Sequence, residues 1–138
     1  MNLREETSNI TQQLLNGVMQ QLIVTDEDAY VKDNVSKVTR TRVVAELCST
    51  LVKLHNLKIS DHQPIIKKLT KWLISNQNAD GSWNEKHIKY DKPSTVFTSV
   101  CALSLLETSE SFPDLNIDEE IFDRAAKFIL KQENYYGE

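Results

Sequence analysis

The stretch Lys71–Trp83, KWLISNQNADGSW, decides how the sequence is interpreted, because it holds both tryptophans of the chain and one of its three glycines. Asp80 and Gly81 form a turn signal, since glycine adopts backbone conformations that other residues resist. Gln77 stands near the predicted end of a helix, where free backbone groups need hydrogen-bond partners. The combination predicts a helix that ends in a tight turn. It indicates a structural role rather than a catalytic one.

The composition is typical of one soluble domain. The chain has 138 residues, of which 40% are hydrophobic and 26% charged, and this length can bury one modest core. The net charge of −4 argues against a nucleic-acid surface. The first ten residues, MNLREETSNI, lack the apolar run of a signal peptide. No stretch reaches the roughly 18 apolar residues of a membrane span. We therefore expect a cytoplasmic protein with no transmembrane segment and no nucleic-acid partner.

The sequence predicts an all-α fold. Gly and Pro are scarce, three each, and apolar residues recur at spacings of three and four. Ser60 and Gln63 have the spacing of a capping box, and Pro64 suits the first turn of a helix. Five helices are predicted: from about Ser8 to Val24, from about Thr39 to His55, after Ser60-Asp61, from near Ser94, and after the segment NIDEE at 116–120. Their apolar stripes are Ile10, Leu14, Val18 and Leu22; Val43, Leu47, Leu51 and Leu54; Ile65, Leu69, Trp72 and Leu73; Val96, Val100, Leu103 and Leu106; and Ile121, Ala125, Phe128 and Ile129.

The sequence also contains an internal repeat. The segment KWLISNQNADG at 71–81 aligns without a gap on KFILKQENYYG at 127–137, at an offset of 56. The second and fourth predicted helices align at an offset of 52, and the first helix takes the place of the third in a degenerate first copy. The chain is therefore predicted to be one domain, 1–138, of about two and a half helical-hairpin repeats, at about 8–57, 60–108 and 117–138.

The opening stretch resembles the QW repeat of squalene and oxidosqualene cyclases. The shared pattern is Trp72-Leu73, three residues, Gln77, three residues, and then Gly81-Ser82-Trp83. The segment STVFTSVCALSLLE at 94–107 resembles the Thr-rich inner helix that follows this repeat in the family. The wider superfamily includes class II terpene cyclases and protein prenyltransferase subunits. The resemblance implies an α/α toroid, in which inner and outer helices alternate around a central cavity.

The resemblance implies structural roles within the motif. Trp72 is expected in the core, and Trp83 is expected to pack on Gln77 and to tie neighbouring repeats together. Gln77 and Gly81 are expected to shape the link between them. The predicted structural repeat motif consists of Trp72, Gln77, Asp80, Gly81 and Trp83.

Class II terpene cyclases protonate their substrate with an Asp-x-Asp-Asp motif, in which the middle Asp is the acid. The motif precedes a Thr-rich inner helix, a place that DKPST at 91–95 occupies here. Asp91 fits the first position of the motif. Pro93 stands where the acid is needed, and Ser94 stands where the last Asp is needed. By this comparison the proton donor is missing.

The segment DEDA at 26–29 matches the acid motif more closely in letters. It lies in the predicted first loop, away from the Thr-rich helix, and adjacent acids in a loop are usually a solvated cap. No catalytic residue is therefore predicted, and the candidates for one are Asp26, Asp28 and Asp91.

The sequence predicts no cofactor and no metal site. His55, His62 and His87 lack metal-ligand spacing. The zinc-binding Asp-x-Cys run of prenyltransferase β subunits is absent, as is the Cys-Gly-Glu-Gln run of thioester domains. Cys48 and Cys101 form no CxxC motif and are expected to be free thiols on helix faces, although a disulfide stays open.

The chain is short for a closed toroid, and stacked repeats expose apolar faces at their open ends. We therefore expect a homo-oligomer, a second chain that completes the toroid, or a longer parent protein. The apolar face of the last helix is expected to be partly uncovered and to form an interface through Ile121, Ala125, Phe128 and Ile129.

Two functions are consistent with these expectations. The first is a terpene-cyclase-like subunit or fragment that forms part of an apolar isoprenoid-binding cavity and relies on a partner chain for catalysis. Its enzyme class would be a squalene-type cyclase, or isomerase, and the chain is not expected to be active alone. The second is a non-catalytic protein-interaction module built on the same repeats.

Overall fold

A computed structural model describes residues 3–33, 35, 37–85 and 93–136. This part of the chain is mostly helical, so the coarse all-α prediction is confirmed. No helix in it is long and apolar enough to cross a bilayer. In chain order the elements are α1 (Leu3–Met19), β1 (Leu22–Val24), β2 (Ala29–Val31), α2 (Thr41–Asn56), α3 (Gln63–Ser75), β3 (Trp83–Asn84), β4 (Pro93–Ser94), α4 (Thr95–Ser111), a 3-10 turn (Pro113–Leu115) and α5 (Glu119–Tyr136).

The predicted first helix is wrong at its C-terminal end. Helix α1 stops at Met19, and Leu22–Val24 forms β1 of a hairpin, in which Leu22 pairs with Val31. The branched side chains of Ile23 and Val24 favour a strand. The hydroxyl of Thr25 accepts hydrogen bonds from the backbone N–H groups of Glu27 and Asp28, which closes the turn. Leu22 continued the helical spacing by coincidence.

The apolar stripe predicted on the first helix faces solvent. Ile10, Leu14 and Val18 are exposed, with 69% of Leu14 accessible. The neighbouring Leu15 enters the core instead, and Met19 packs partly against it. Because α1 contributes one buried leucine, its predicted stripe borders a cleft rather than a packed interface.

Helices α2 and α4 lie side by side and run parallel. The hydroxyl of Ser104 donates to the carbonyl of Ala45 at 2.8 Å, and the amide of Asn56 donates to the hydroxyl of Ser111 at 3.0 Å. These pairs advance in the same direction along both helices. Helix α3 packs on α2 and on strand β2, and α5 packs on α4. Consecutive helices thus form two hairpins, α2–α3 and α4–α5.

The start of α3 differs from the capping box that the sequence suggested. The carboxylate of Asp61, rather than the hydroxyl of Ser60, accepts from the backbone N–H of Gln63 at 3.2 Å. The Ser60 hydroxyl is buried and has no hydrogen-bond partner among the described residues. Pro64 does occupy the first turn, where its missing N–H costs little.

Burial corrects the alignment of helices α2 and α4. The predicted offset of 52 is wrong, because it sets buried Leu51 against exposed Leu103 and buried Leu54 against exposed Leu106. An offset of 57 sets buried positions on buried positions: Thr41 with Thr98, Val44 with Cys101, Leu47 with Ser104, Cys48 with Leu105, and Leu51 with Thr108. Helices α3 and α5 keep the offset of 56, which aligns buried Trp72 with buried Phe128.

Helix α4 buries the opposite face from the one predicted. Val96, Leu103 and Leu106 are exposed and Val100 is half-buried, so the predicted stripe points away from the core. The buried face consists of Thr98, Cys101, Ser104, Leu105 and Thr108. These side chains are mostly small, which permits close approach to α2. Their hydroxyls are satisfied by hydrogen bonds, as when Thr108 donates to the carbonyl of Ser104 at 2.7 Å.

The predicted interface on the last helix is also wrong. Ile121, Ala125 and Phe128 are 4%, 1% and 8% exposed, and Ile129 is half-buried. Helix α4 and the turn at Gly81 cover this face of α5, so Ile121 and Ala125 belong to the main core. The face is therefore internal to the chain.

Candidate functional site

The two tryptophans of the motif are both buried, in different contacts. Trp83 is fully buried, and its indole N–H donates to the carbonyl of Leu73 at 2.8 Å, near the end of α3. Its backbone N–H donates to the hydroxyl of Thr98 on α4 at 3.0 Å. Trp72 lies with its ring centre 6.3 Å from that of Tyr30 in the hairpin. Trp83 thus joins α3 to α4, and Trp72 contacts the hairpin.

Gln77 connects the turn after α3 to helix α5. Its side-chain N–H group donates to the carbonyl of Gly81 at 3.1 Å and to that of Ile121 at 3.0 Å. Its side-chain oxygen accepts from the guanidinium of Arg124 at 3.0 Å. The sequence did not predict the structural role of Arg124, because its partner Gln77 is 47 residues away and no local pattern marks the pair.

Gly81 is required at its position for two reasons. Its φ of +92° lies in a region that side chains disfavour. A Cβ atom there would also lie 2.1 Å from the backbone oxygen of Arg124. The carboxylate of Asp80 supports the same turn by accepting from the backbone N–H of Ser82 at 3.0 Å. We call Gln77, Asp80, Gly81, Trp83 and Arg124 the clasp, since together they join α3, α4 and α5.

The two candidate catalytic acids that the structure describes, Asp26 and Asp28, lie in the turn of the β1–β2 hairpin. Asp26 is exposed at the tip of the hairpin, and Asp28 is held in that turn by a hydrogen bond from the Thr25 hydroxyl at 2.9 Å. Asp91 lies outside the described residues. Neither Asp26 nor Asp28 lines the groove described below.

The two cysteines are free and buried, so the disulfide that the sequence left open is not formed. Burial raises the pKa of Cys101 to about 12. Burial also raises the pKa of Cys48, against the smaller opposing effect of its hydrogen bonds with neighbouring hydroxyls such as that of Thr108. Because the thiolate is the nucleophile, neither side chain is suited to covalent catalysis at neutral pH.

The histidines do not form a metal centre in the part of the chain that is described. His55 lies 3.5 Å from the carboxylate of Asp61, and its ring is 4.7 Å from that of Phe112. His87 is outside the described residues. Over these residues, no group of three or more His, Cys, Asp or Glu side chains could hold a metal ion.

Two adjacent pockets, which we call the compartments of a groove, lie on α2, one beside α1 and the other beside α4. The α1–α2 compartment has a volume of about 340 Å³, and the α2–α4 compartment about 480 Å³. Glu46 and Thr50 line both compartments, so the two are adjacent on the outer surface of α2. The first is lined by Thr11, Leu14, Leu15, Val18, Val43, Glu46, Leu47, Thr50 and Leu54. The second is lined by Glu46, Ser49, Thr50, Lys53, Val100, Leu103, Ser104 and Glu107.

The two compartments differ in chemistry. Six aliphatic side chains line the α1–α2 compartment, with Glu46 as its one charged residue. The α2–α4 compartment combines Val100 and Leu103 with hydroxyl and charged side chains. Its charges are matched within the chain, because Lys53 lies 3.9 Å from Glu107 and Arg42 lies 2.9 Å from Glu46. The lining of the α1–α2 compartment is therefore mainly apolar, and that of the α2–α4 compartment is mixed.

Comparison with known proteins found no relative of this chain. It matches no family model, no curated protein and no solved structure.

Proposed function

We propose that this chain is a helical-repeat subunit whose groove forms part of an apolar cavity for an isoprenoid-class ligand. A partner chain completes the cavity and supplies any catalytic acid. The observation that carries the proposal is the exposure of apolar side chains on α4 and α1 at the groove. Leu103 is 64% exposed and Leu14 is 69% exposed, and the two line different compartments of one groove. Contiguous exposed apolar surface is typical of binding sites, so this exposure supports the proposal.

Helix α4 supports the proposal because it carries apolar residues on both faces. Leu105 is buried on one face, while Val96 and Leu103 are exposed on the other. A helix that is apolar all round is normally covered on all sides. A ligand in the groove, together with a partner chain, would cover the outer face.

The arrangement of the hairpins supports a toroid wall as the architecture. Helices α2 and α4 are parallel neighbours, and α3 and α5 each pack on one of them. In the toroid that the QW resemblance implies, such inner helices line the cavity and such outer helices surround them. We accordingly assign α2 and α4 to the inner layer of a partial α/α toroid.

Within the proposal, catalysis depends on a second chain. Of the candidate acids, Asp26 and Asp28 lie in the hairpin rather than in the groove, and the groove carboxylates Glu46 and Glu107 each face a cation of this chain. Proton transfer needs an acid within reach of the substrate. We therefore expect no cyclisation of squalene by the chain alone.

Titration of the full chain with a fluorescent farnesol analogue tests the proposal. Leu14→Glu and Leu103→Glu place a charge in each compartment, and each should weaken binding by about tenfold or more, because an apolar ligand would have to desolvate the charge. Leu130→Glu is the matched control, since Leu130 is an exposed helical leucine, on α5, that does not line the groove. Binding that survives both groove substitutions would contradict the proposal.

A second candidate function is a non-catalytic protein-interaction module. It is favoured by Val96 and Leu106, which are exposed on α4 but do not line the groove, so that a ligand there would leave them uncovered. Light scattering on the parent chain and on Leu106→Glu tests this candidate. Self-association that is lost in the variant, without any isoprenoid binding, would favour the module.

A further inference from the structure

We infer that the partner chain is a second copy of this chain, joined head to tail, so that α4 of one copy packs on α2 of the next at the α1–α2 compartment. The inference rests on the proposed function for the need of a partner, and it names that partner. It comes from the contact that α2 and α4 make within one chain, because the two halves of the same contact recur, open, at opposite sides of the molecule.

The contact between α2 and α4, which we call the seam, uses one face of each helix. Three side-chain contacts define it along its length: Ala45 with Ser104, Lys53 with Glu107, and Asn56 with Ser111. Two of them are hydrogen bonds, at 2.8 and 3.0 Å, and the middle one is an ion pair at 3.9 Å. Ser49 of α2 and Val100 of α4 line the compartment beside the seam.

The α1–α2 compartment lies where a second α4 would form the same seam. The offset of 57, which aligns the buried faces of α2 and α4, assigns each α4 residue of the seam a counterpart on α2. The counterparts of Val100, Ser104, Glu107 and Ser111 are Val43, Leu47, Thr50 and Leu54. All four counterparts line the α1–α2 compartment. Helix α1 borders this compartment without closing it, since Leu14 and Thr50 are exposed there.

The other half of the seam recurs on the free side of α4. Ala45, Ser49 and Lys53 of α2 have Ala102, Leu106 and Glu110 as their counterparts on α4. Leu106 is 42% exposed, and Glu110 is exposed as well. This face of α4 is therefore open to solvent, as the compartment on α2 is.

The two open faces lie on opposite sides of the α2–α4 pair. Leu54 and Asn56 are two residues apart on α2, which separates them by about 200° around the helix axis. Asn56 contacts α4, so Leu54 and the α1–α2 compartment face away from α4. A contact between unlike faces of identical chains repeats head to tail and builds rings or open rows of copies.

The residues at the open faces suit each other. In the seam between copies, Leu106 takes the place of Ser49 and meets the aliphatic lining of the α1–α2 compartment, so more apolar surface is buried than in the seam within the chain. The ion pair of Lys53 and Glu107 is replaced by Glu110 of the second copy opposite Thr50. The charge at position 50 should therefore control the strength of the contact.

Sedimentation of the full chain over a range of concentrations tests the inference. The parent chain should associate. Leu106→Glu should weaken association by about tenfold or more, because a charge would enter the apolar compartment. Thr50→Glu should weaken it similarly through repulsion of Glu110. Leu57→Glu is the control, since Leu57 is 60% exposed at the end of α2 and lines neither compartment.

Two further measurements depend on the head-to-tail geometry. Leu106→Glu keeps the open face of α2 and Thr50→Glu keeps that of α4, so an equal mixture of the two variants should form a complex of one copy of each. Thr50→Lys should strengthen association of the chain by about two- to fivefold at low salt, because the lysine would pair with Glu110 of the second copy.

The outcomes separate this inference from the proposed function. A chain that binds the fluorescent farnesol analogue but stays monomeric overturns the inference and leaves the proposed function. Association that Thr50→Glu leaves intact, a mixture that forms no complex, or equal effects of Thr50→Glu and Thr50→Lys also overturn the inference. A chain that associates head to tail but binds no analogue refutes the proposed function and leaves the contact between copies established.

Discussion

Replacing Gly81 with alanine tests the clasp directly, and the structure sets the size of the effect. At φ +92° an alanine pays roughly 1 to 2 kcal/mol in backbone strain. Its Cβ would also lie 2.1 Å from the backbone oxygen of Arg124, so the turn must move away from α5. That movement breaks the hydrogen bonds from Gln77 to Ile121 and from Arg124 to Gln77.

Each of these two hydrogen bonds contributes about 0.5 to 1.5 kcal/mol. The strain and the lost bonds together predict that Gly81→Ala lowers the free energy of unfolding by roughly 2 to 5 kcal/mol. Small domains are stable by about 5 to 15 kcal/mol, so the loss is a large fraction of the total. Equilibrium unfolding in urea should show a midpoint lower by about 1 M or more.

The chain offers a matched control in Gly17. This glycine lies inside α1, and a Cβ atom there would meet no other atom within 4 Å. Gly17→Ala should therefore stabilise α1 by about 0.5 to 1 kcal/mol, because alanine restricts the unfolded chain and suits a helix. A loss below about 1 kcal/mol in Gly81→Ala would refute the close approach of the turn to α5.

Two further predictions concern buried side chains. Trp83→Ala should lower the free energy of unfolding by about 3 to 5 kcal/mol, whereas Trp83→Phe should lower it less because it keeps a large ring. If Trp83→Ala and the parent chain were equally stable in thermal unfolding, Trp83 would not join α3 to α4 as the structure indicates. For Cys101, burial raises the pKa from 9.0 to about 12, so the unfolded chain releases this proton above pH 9 and the folded chain keeps it. Stability should consequently fall between pH 9 and pH 12, by at most about 1.4 kcal/mol per pH unit from this thiol. Cys101→Ala should flatten that decline, and an unchanged pH profile of the variant would contradict the assignment.

The turn of the clasp and the approximate positions of α2 to α5 could be predicted from the sequence because their signals are local. The turn at Asp80-Gly81 and the end of α3 follow from adjacent residues, and Pro64 marks a helix start by its own chemistry. Leu22–Val24 could not be assigned in this way, since three residues fit both a helical spacing and a strand. The pairing of this strand with β2, and the packing of β2 on α3, decide between them, and both are tertiary effects.

Periodicity also failed to identify the buried face of α4, and it did not show that the apolar face of α5 is covered by α4 and the turn at Gly81. A stripe of leucines predicts the core face only when the other face is polar. Helix α4 carries Leu105 among small side chains on one face and Leu103 with Leu106 on the other. The groove could not be predicted from the sequence either, because its lining comes from three helices that are distant in the chain.

The orientation of α4 links the clasp to the proposed function. Thr98, on its buried face, accepts a hydrogen bond from the backbone of Trp83, and Ser104 donates to α2, so this face fixes the helix with small polar groups. Turning the larger leucines inward would bury more apolar area, which is the dominant favourable contribution to folding. The fold instead leaves Leu103 and Leu106 at the surface, where exposed apolar groups lower solubility. The proposed function accounts for this loss of burial, because a ligand and a partner chain would cover the exposed face of α4.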